Sequence, residues 1–170
     1  MHVLLVGGGG REHALAWRLS QSPSLERLSV THRNPGFPPD AEAAEGDVLA
    51  YAVSRGVDVV VIGPEAPLAD GLVDQLAAAG IAAFGPQQAA AALEASKAFA
   101  KSFMDRHGIP TAAWSEHTEA ASARAAVTGS CVIKADGLAA GKGVYVCDDA
   151  ASARAAIDEI FAGRFGDAGA

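Results

Sequence analysis

At 170 residues the chain is sized for one domain or two small ones. Half of its residues are hydrophobic, 19% are charged and the mean hydropathy is +0.18, which excludes wholesale disorder. Twenty acidic side chains against thirteen basic ones leave a net charge of −7, which speaks against a general nucleic-acid binder, because affinity for a phosphate backbone needs a basic field.

In chain order, residues 3–6 predict a buried strand. Residues 11–21 predict a helix with Ala14, Leu15, Trp17 and Leu19 near helical spacing. Residues 27–31 predict a second strand and 47–55 a short helix ended by Gly56. The β-branched run at 57–62, broken only by Asp58, predicts a strand covered on both faces. A helix over 68–79 closed by Gly80 and a fourth strand at 81–84 follow. Strands alternating with helices imply right-handed crossovers and a parallel sheet. A helix-rich connector spans 89–107. Beyond Pro110 the pattern changes to strands at 112–115, 130–135 and 143–147, flanking helices at 118–127 and 150–162. The expected organisation is an α/β parallel-sheet domain over 1–95, a helical connector over 96–110 and a small α+β unit over 111–170. The last residues read as a break inside a larger domain.

No apolar run approaches the ~20 residues of a membrane helix, and the start lacks a signal peptide's basic region and cleavage site. A cytoplasmic location is therefore expected. Cys131 and Cys147 fit a reduced chain, packed in the core and lying as neighbours on paired strands. The five histidines show no metal-ligand spacing.

Three motifs carry chemistry. Val6-Gly7-Gly8-Gly9-Gly10-Arg11-Glu12-His13 joins strand to helix, where glycines let a phosphate approach the backbone and the helix start offers free N–H groups. A dinucleotide fold would want an acid after the second strand. Here Val30-Thr31-His32-Arg33-Asn34 has none, so NAD is disfavoured, although Arg33 would suit a 2′-phosphate and keeps an NADP-dependent oxidoreductase as an alternative. Gly63-Pro64-Glu65 lies at the same sheet edge, where a carboxylate can grip ribose hydroxyls or an amine, or simply start a helix. Lys134-Ala135-Asp136-Gly137-Leu138-Ala139-Ala140-Gly141-Lys142-Gly143 places a glycine loop with lysines between two strands, a loop able to fold over a polyphosphate. It is not a Walker A loop, since no hydroxyl residue follows Lys142. All four lysines lie between Lys97 and Lys142. Lys97, Lys134 and Lys142 are expected to converge on one polyphosphate, with Lys101 on a solvated face. A non-catalytic nucleotide-binding module is the other alternative.

With these motifs in hand, the chain resembles the glycinamide ribonucleotide synthetase (phosphoribosylamine–glycine ligase) family. The resemblance is carried by Gly9-Gly10-Arg11-Glu12-His13-Ala14-Leu15, Gly63-Pro64-Glu65-Ala66-Pro67-Leu68, Phe84-Gly85-Pro86, Ser96-Lys97-Ala98-Phe99 and the long lysine–glycine loop. It implies a Rossmann-like pre-ATP-grasp domain followed by part of an ATP-grasp domain, its lid subdomain. It also implies ligation of glycine to 5-phosphoribosylamine through glycyl phosphate, using ATP and Mg²⁺ or Mn²⁺. By the same resemblance, Lys97, Lys134, Asp136, Gly137, Leu138, Ala139, Ala140, Gly141, Lys142 and Gly143 bind ATP. Gly8, Gly9, Gly10, Arg11, Glu12, Asn34, Gly36, Gly63, Pro64 and Glu65 bind the phosphoribosylamine. Metal ligands are expected beyond residue 170, no nucleic-acid or membrane partner is expected, and the chain alone is expected not to turn over. Two positions depart from the family pattern: Gly8, where Asn or Ser is usual, and the loop Arg33-Asn34-Pro35-Gly36.

Overall fold

A computed structural model describes residues 1–139 and 141–166. The chain divides into two compact units, Met1–Ala91 and Ala92–Ala170.

The first unit is built on apolar β-branched runs that form a parallel sheet. Its strands are β1 (His2–Val6), β2 (Arg27–Val30), β3 (Glu42–Ala43), β4 (Val59–Ile62) and β5 (Ala82–Phe84), in the order β3-β2-β1-β4-β5. The register sets Val3 against Leu28 and Val59, and Leu5 against Val30 and Val61. Because side chains alternate across a strand, Val3, Leu5 and Val61 enter one core with Ala16, and Leu4, Val6, Val60 and Ile62 enter another with Ala52 and Leu76. That is why the run at 59–62 needs no polar alternation: both faces are covered. Leu4 and Leu5 are fully buried, each contributing about 1.5–3 kcal/mol of apolar transfer. Beneath the sheet start, buried His2 bonds Ser29 Oγ (2.8 Å), which bonds the Tyr51 hydroxyl (3.1 Å), so this histidine is structural.

The helices of this unit are α1 (Gly10–Ser20), α2 (Val48–Arg55), α3 (Glu65–Ala69) and α4 (Leu72–Ala78). On α1 it is Ala16 that is buried and Trp17 that is exposed, which corrects the expected apolar face. Asp47 caps α2 by accepting the Ala50 N–H (2.8 Å), and Gly56 closes it in the left-handed region. The single helix expected over 68–79 is two. Gly71, at φ +81°, breaks it, and α3 starts earlier because Pro67 is tolerated in a first turn. The short edge strand β3 was not foreseen, being too brief to show a pattern.

The second unit follows α5 (Gln88–Ala95), which bridges the boundary, and contains α6 (Lys97–Arg106), α7 (Ala120–Ala126), β6 (Cys131–Lys134), β7 (Val144–Cys147) and α8 (Ala150–Phe161). The expected 89–107 helix is interrupted at Ser96, which caps α6. The segment 112–115 is not a strand. Among the described residues it has no strand to pair with, and it runs along α6, held by Trp114 Nε1 donating to Asp105 (2.8 Å) and Lys101 Nζ donating to Thr111 Oγ1 and the Ala112 carbonyl. Lys101 is therefore a tether rather than a solvated side chain. β6 and β7 pair antiparallel with Cys131 directly opposite Cys147, as the spacing suggested, and both thiols are free. One face of this hairpin packs Ile133, Tyr145 and Cys147 on α7 and α8, and the other leaves Val132, Val144 and Val146 exposed. No helix among the described residues is long and apolar enough to cross a membrane.

Candidate functional site

The strand order places the loops after β1 and β4 at the point where the sheet's connections diverge, the crevice in which open α/β sheets hold ligands. The Gly63 N–H donates to the Val6 carbonyl (3.1 Å), and Arg11 Nη1 donates to the Gly63 carbonyl, so the two loops close on each other. Between them sits the buried carboxylate of Glu12, whose Oε2 accepts the Gly9 N–H (2.7 Å). This is half of a capping box, the half a glycine N-cap can still supply. The space is filled: a Cβ on Gly63 would lie 2.0 Å from Glu12 Oε1, and one on Gly7 would lie 2.8 Å from Glu12 Cγ. Gly7 also stands at φ +109°, which only glycine adopts readily.

The loop after β2 completes the rim. Thr31 Oγ1 accepts the Gly7 N–H (3.0 Å) and meets His32 Nδ1 at 2.9 Å. Asn34 Nδ2 donates to the Gly8 carbonyl (2.8 Å), and Asn34 Oδ1 accepts the Gly36 N–H (2.9 Å). His13 lies under Gly36, where a Cβ would come within 2.1 Å of the ring. Gly8 is glycine for a local reason: a Cβ there would meet His32 Cβ at 2.7 Å. Arg33 turns its guanidinium to the Ala41 carbonyl (3.2 Å).

The structure thus gathers Gly8, Gly9, Gly10, Arg11, Glu12, Asn34, Gly36, Gly63, Pro64 and Glu65 around one loop cluster. Glu12 and Asn34 are engaged in building the loop. Arg11 also faces Glu65 at 3.6 Å, both side chains being substantially exposed. The Gly8 and Gly10 N–H groups find no partner among the described residues. Thr31 and His32 were overlooked as site residues; the signal available was a polar pair ending an otherwise apolar strand.

In the second unit the lysine–glycine loop is tied to the start of α6. Asp136 Oδ1 accepts the N–H groups of Lys97 (2.5 Å) and Ala98 (3.1 Å), and Oδ2 accepts the Ser96 hydroxyl (2.9 Å). Burial works to raise the Asp136 pKa. Hydrogen bonds from Ala98, Ser96, Lys97 and Gly137 outweigh it and hold the carboxyl below its usual range. Lys97 Nζ donates to the Gly137 carbonyl (2.7 Å). At the far end the Ala135 N–H donates to the Gly143 carbonyl (2.8 Å), the Lys142 N–H donates to the Ala139 carbonyl (2.9 Å), and a Cβ on Gly143 would collide with Ala139 and Ala135. Lys97 therefore reaches the loop. Lys134 and Lys142 are exposed, with no polar side-chain contact among the described residues, and Leu138 is partly exposed. Ala140 lies outside the described residues.

Among the described residues no three His, Cys, Asp or Glu side chains gather as a metal site, and Asp136, the carboxylate of the lysine loop, is engaged on α6. These residues do not fit a divalent cation, and no step is routed through one.

Residues 1–94 match the family described as phosphoribosylglycinamide synthetase, N domain, and residues 95–170 match phosphoribosylglycinamide synthetase, ATP-grasp (A) domain. The chain belongs to the phosphoribosylglycinamide synthetase family. It is 52% identical to the phosphoribosylamine–glycine ligase of Caulobacter vibrioides and 50% identical to that of Allochromatium vinosum, covering 99% and 100% of this chain and 42% of each relative. The crystal structure of the Thermotoga maritima phosphoribosylamine–glycine ligase superposes with a TM-score of 0.77 at 28% identity, over 99% of this chain and 41% of that one. The biotin carboxylase domain of Hydrogenobacter thermophilus 2-oxoglutarate carboxylase, solved with MgADP, ADP and bicarbonate, gives a TM-score of 0.71 at 17% identity, over 96% of this chain and 42% of that one, and shares the fold. The chain spans about two fifths of the length of the synthetase-family relatives it matches.

Proposed function

We propose that this chain carries the sugar-phosphate loops and the nucleotide-covering loop of a cytoplasmic ATP-dependent ligase that joins glycine to 5-phosphoribosylamine. The observation that carries the reading is the closure of the first glycine loop on residues 63–65, in a chain whose two units match the two domains of one ligase family in order.

A free carboxylate is a poor electrophile, so ATP first transfers its γ-phosphoryl group to the glycine carboxylate, giving glycyl phosphate and ADP. The amine of phosphoribosylamine then attacks the activated carbonyl and phosphate leaves, with loss of the amine proton. The protein's part is positioning and charge neutralisation. In this reading the free N–H groups of Gly8 and Gly10, with the outer edge of Arg11, receive the sugar phosphate, and Glu65 faces ribose or amine. Lys97, Lys134 and Lys142, with the backbone of residues 136–143, cover the ATP phosphates. Mg²⁺ neutralises polyphosphate charge when bound, and residues outside this chain would hold it.

Calorimetric titration of the chain with ribose 5-phosphate, a stable stand-in for phosphoribosylamine, and separately with ATP tests the two assignments. Saturable binding of both is expected. Absence of either removes the corresponding assignment. No glycine-dependent ADP release is expected from the chain alone, and sustained turnover would overturn that expectation.

A further inference from the structure

Gly8 has no side chain to offer a ligand, and its neighbours show what stands in that place. Apart from Asn34, whose Nδ2 donates to the Gly8 carbonyl, four cationic or imidazole side chains lie near the loop. Arg33 is turned onto the Ala41 carbonyl, His13 is packed beneath Gly36, and Arg11 is shared between the Gly63 carbonyl and Glu65. No lysine precedes Lys97. The fourth is His32. Its Cβ occupies the space beside Gly8, its side chain is exposed, and its Nδ1 is fixed 2.9 Å from Thr31 Oγ1. That hydroxyl oxygen accepts the Gly7 N–H and keeps its own hydrogen to donate, so one arrangement of the pair has Thr31 donating to Nδ1. A ring that accepts at Nδ1 carries its proton on Nε2, and Nε2 has no partner among the described residues.

We propose that His32 is a ligand-binding residue of the glycine loop, its Nε2–H donating to the phosphate of the sugar-phosphate substrate in place of the side chain that position 8 lacks. The proposal rests on the reading of this loop as a sugar-phosphate site. Positions 8 and 32 then form one exchangeable pair, in which a side chain at either excludes bulk at the other.

Ribose 5-phosphate is titrated into the full chain and into His32→Ala, His32→Gln and the double variant Gly8→Ser/His32→Gly, with thermal unfolding as a fold control. His32→Ala is expected to weaken binding about tenfold or more at an unchanged unfolding midpoint, as loss of one hydrogen bond to a charged group does. His32→Gln, which keeps an N–H donor, recovers part of the loss. Gly8→Ser/His32→Gly recovers part of it, whereas Gly8→Ser alone does not bind. In the unaltered chain, the His32 imidazole resonances report a proton on Nε2 and shift on adding ribose 5-phosphate. Equal affinity of His32→Ala and the unaltered chain overturns the proposal alone. Failure of the unaltered chain to bind overturns the sugar-phosphate reading, and the proposal with it.

Discussion

The two glycine loops of this chain use the same residue for opposite purposes. In the first loop cluster Gly7, Gly8, Gly36 and Gly63 each sit where a Cβ would strike Glu12, His32 or His13, and Gly10 alone of residues 7–10 is open. In the lysine loop crowding is confined to Gly143 at the closing end; Gly141 meets nothing within 4 Å, and only its φ of +74° favours glycine. The first loop is held along its length by side chains of Thr31, Glu12 and Asn34. The second is held at its ends, by Asp136 and Lys97 on one side and by Ala135 and Gly143 on the other. A glycine-rich stretch therefore says nothing by itself about whether a loop is rigid; the surrounding side chains decide.

The sharpest way to break this contrast is to add one methyl group to each loop. Gly63→Ala is expected to destabilise the first unit by about 3 kcal/mol, because the buried Glu12 has nowhere to go. Gly141→Ala should cost about 1 kcal/mol, the penalty of a left-handed backbone alone. Urea unfolding measures both, and a reversed order would refute the comparison. Next in size, Asp136→Ala removes the acceptor for two helix-start N–H groups and should cost about 1–2 kcal/mol.

Asp136→Asn sharpens that result through pH. The folded-state pKa is depressed, so the charge contributes stability above the unfolded carboxyl value of about 4 and loses it as pH falls through the lower folded value. Acid unfolding of the unaltered chain should therefore be steeper below about pH 4 than that of the Asn variant. For ligand, Lys97→Met should weaken ATP binding about tenfold, equivalent to about 1.4 kcal/mol, whereas Lys101→Met, whose ammonium is engaged by Thr111 and Ala112, should leave ATP affinity unchanged. Smallest of all, Glu65→Gln severs an exposed 3.6 Å ion pair and should change stability by less than about 0.5 kcal/mol while weakening ribose 5-phosphate binding.

The parallel sheet was legible because a strand buried on both faces must be written as an uninterrupted apolar run, and residues 3–6 and 59–62 are such runs. The hairpin was legible because two short apolar runs flank the lysine–glycine loop, but its buried face was not: Ile133, Tyr145 and Cys147 pack inward while the equally apolar Val132, Val144 and Val146 stay exposed. What stayed hidden depends on distant partners. The break at Gly71 competes with an otherwise good helical pattern, and the segment 112–115 has strand-like residues but no neighbour to pair with. In the site, the glycines and Arg11 announce themselves. The engagement of Glu12 and Asn34 within the loop, and the pairing of His32 with Gly8, arise from contacts across more than one element that no local spacing encodes.

The carboxylate of Asp136 takes both leading N–H groups of α6 from 39 and 38 residues further along the chain, while the Lys97 ammonium returns the bond to the next carbonyl. Fraying of that helix end and detachment of the loop are consequently a single opening event, so the amides of Lys97 and Ala98 should exchange with deuterium at one common rate that slows together when a nucleotide settles on the loop.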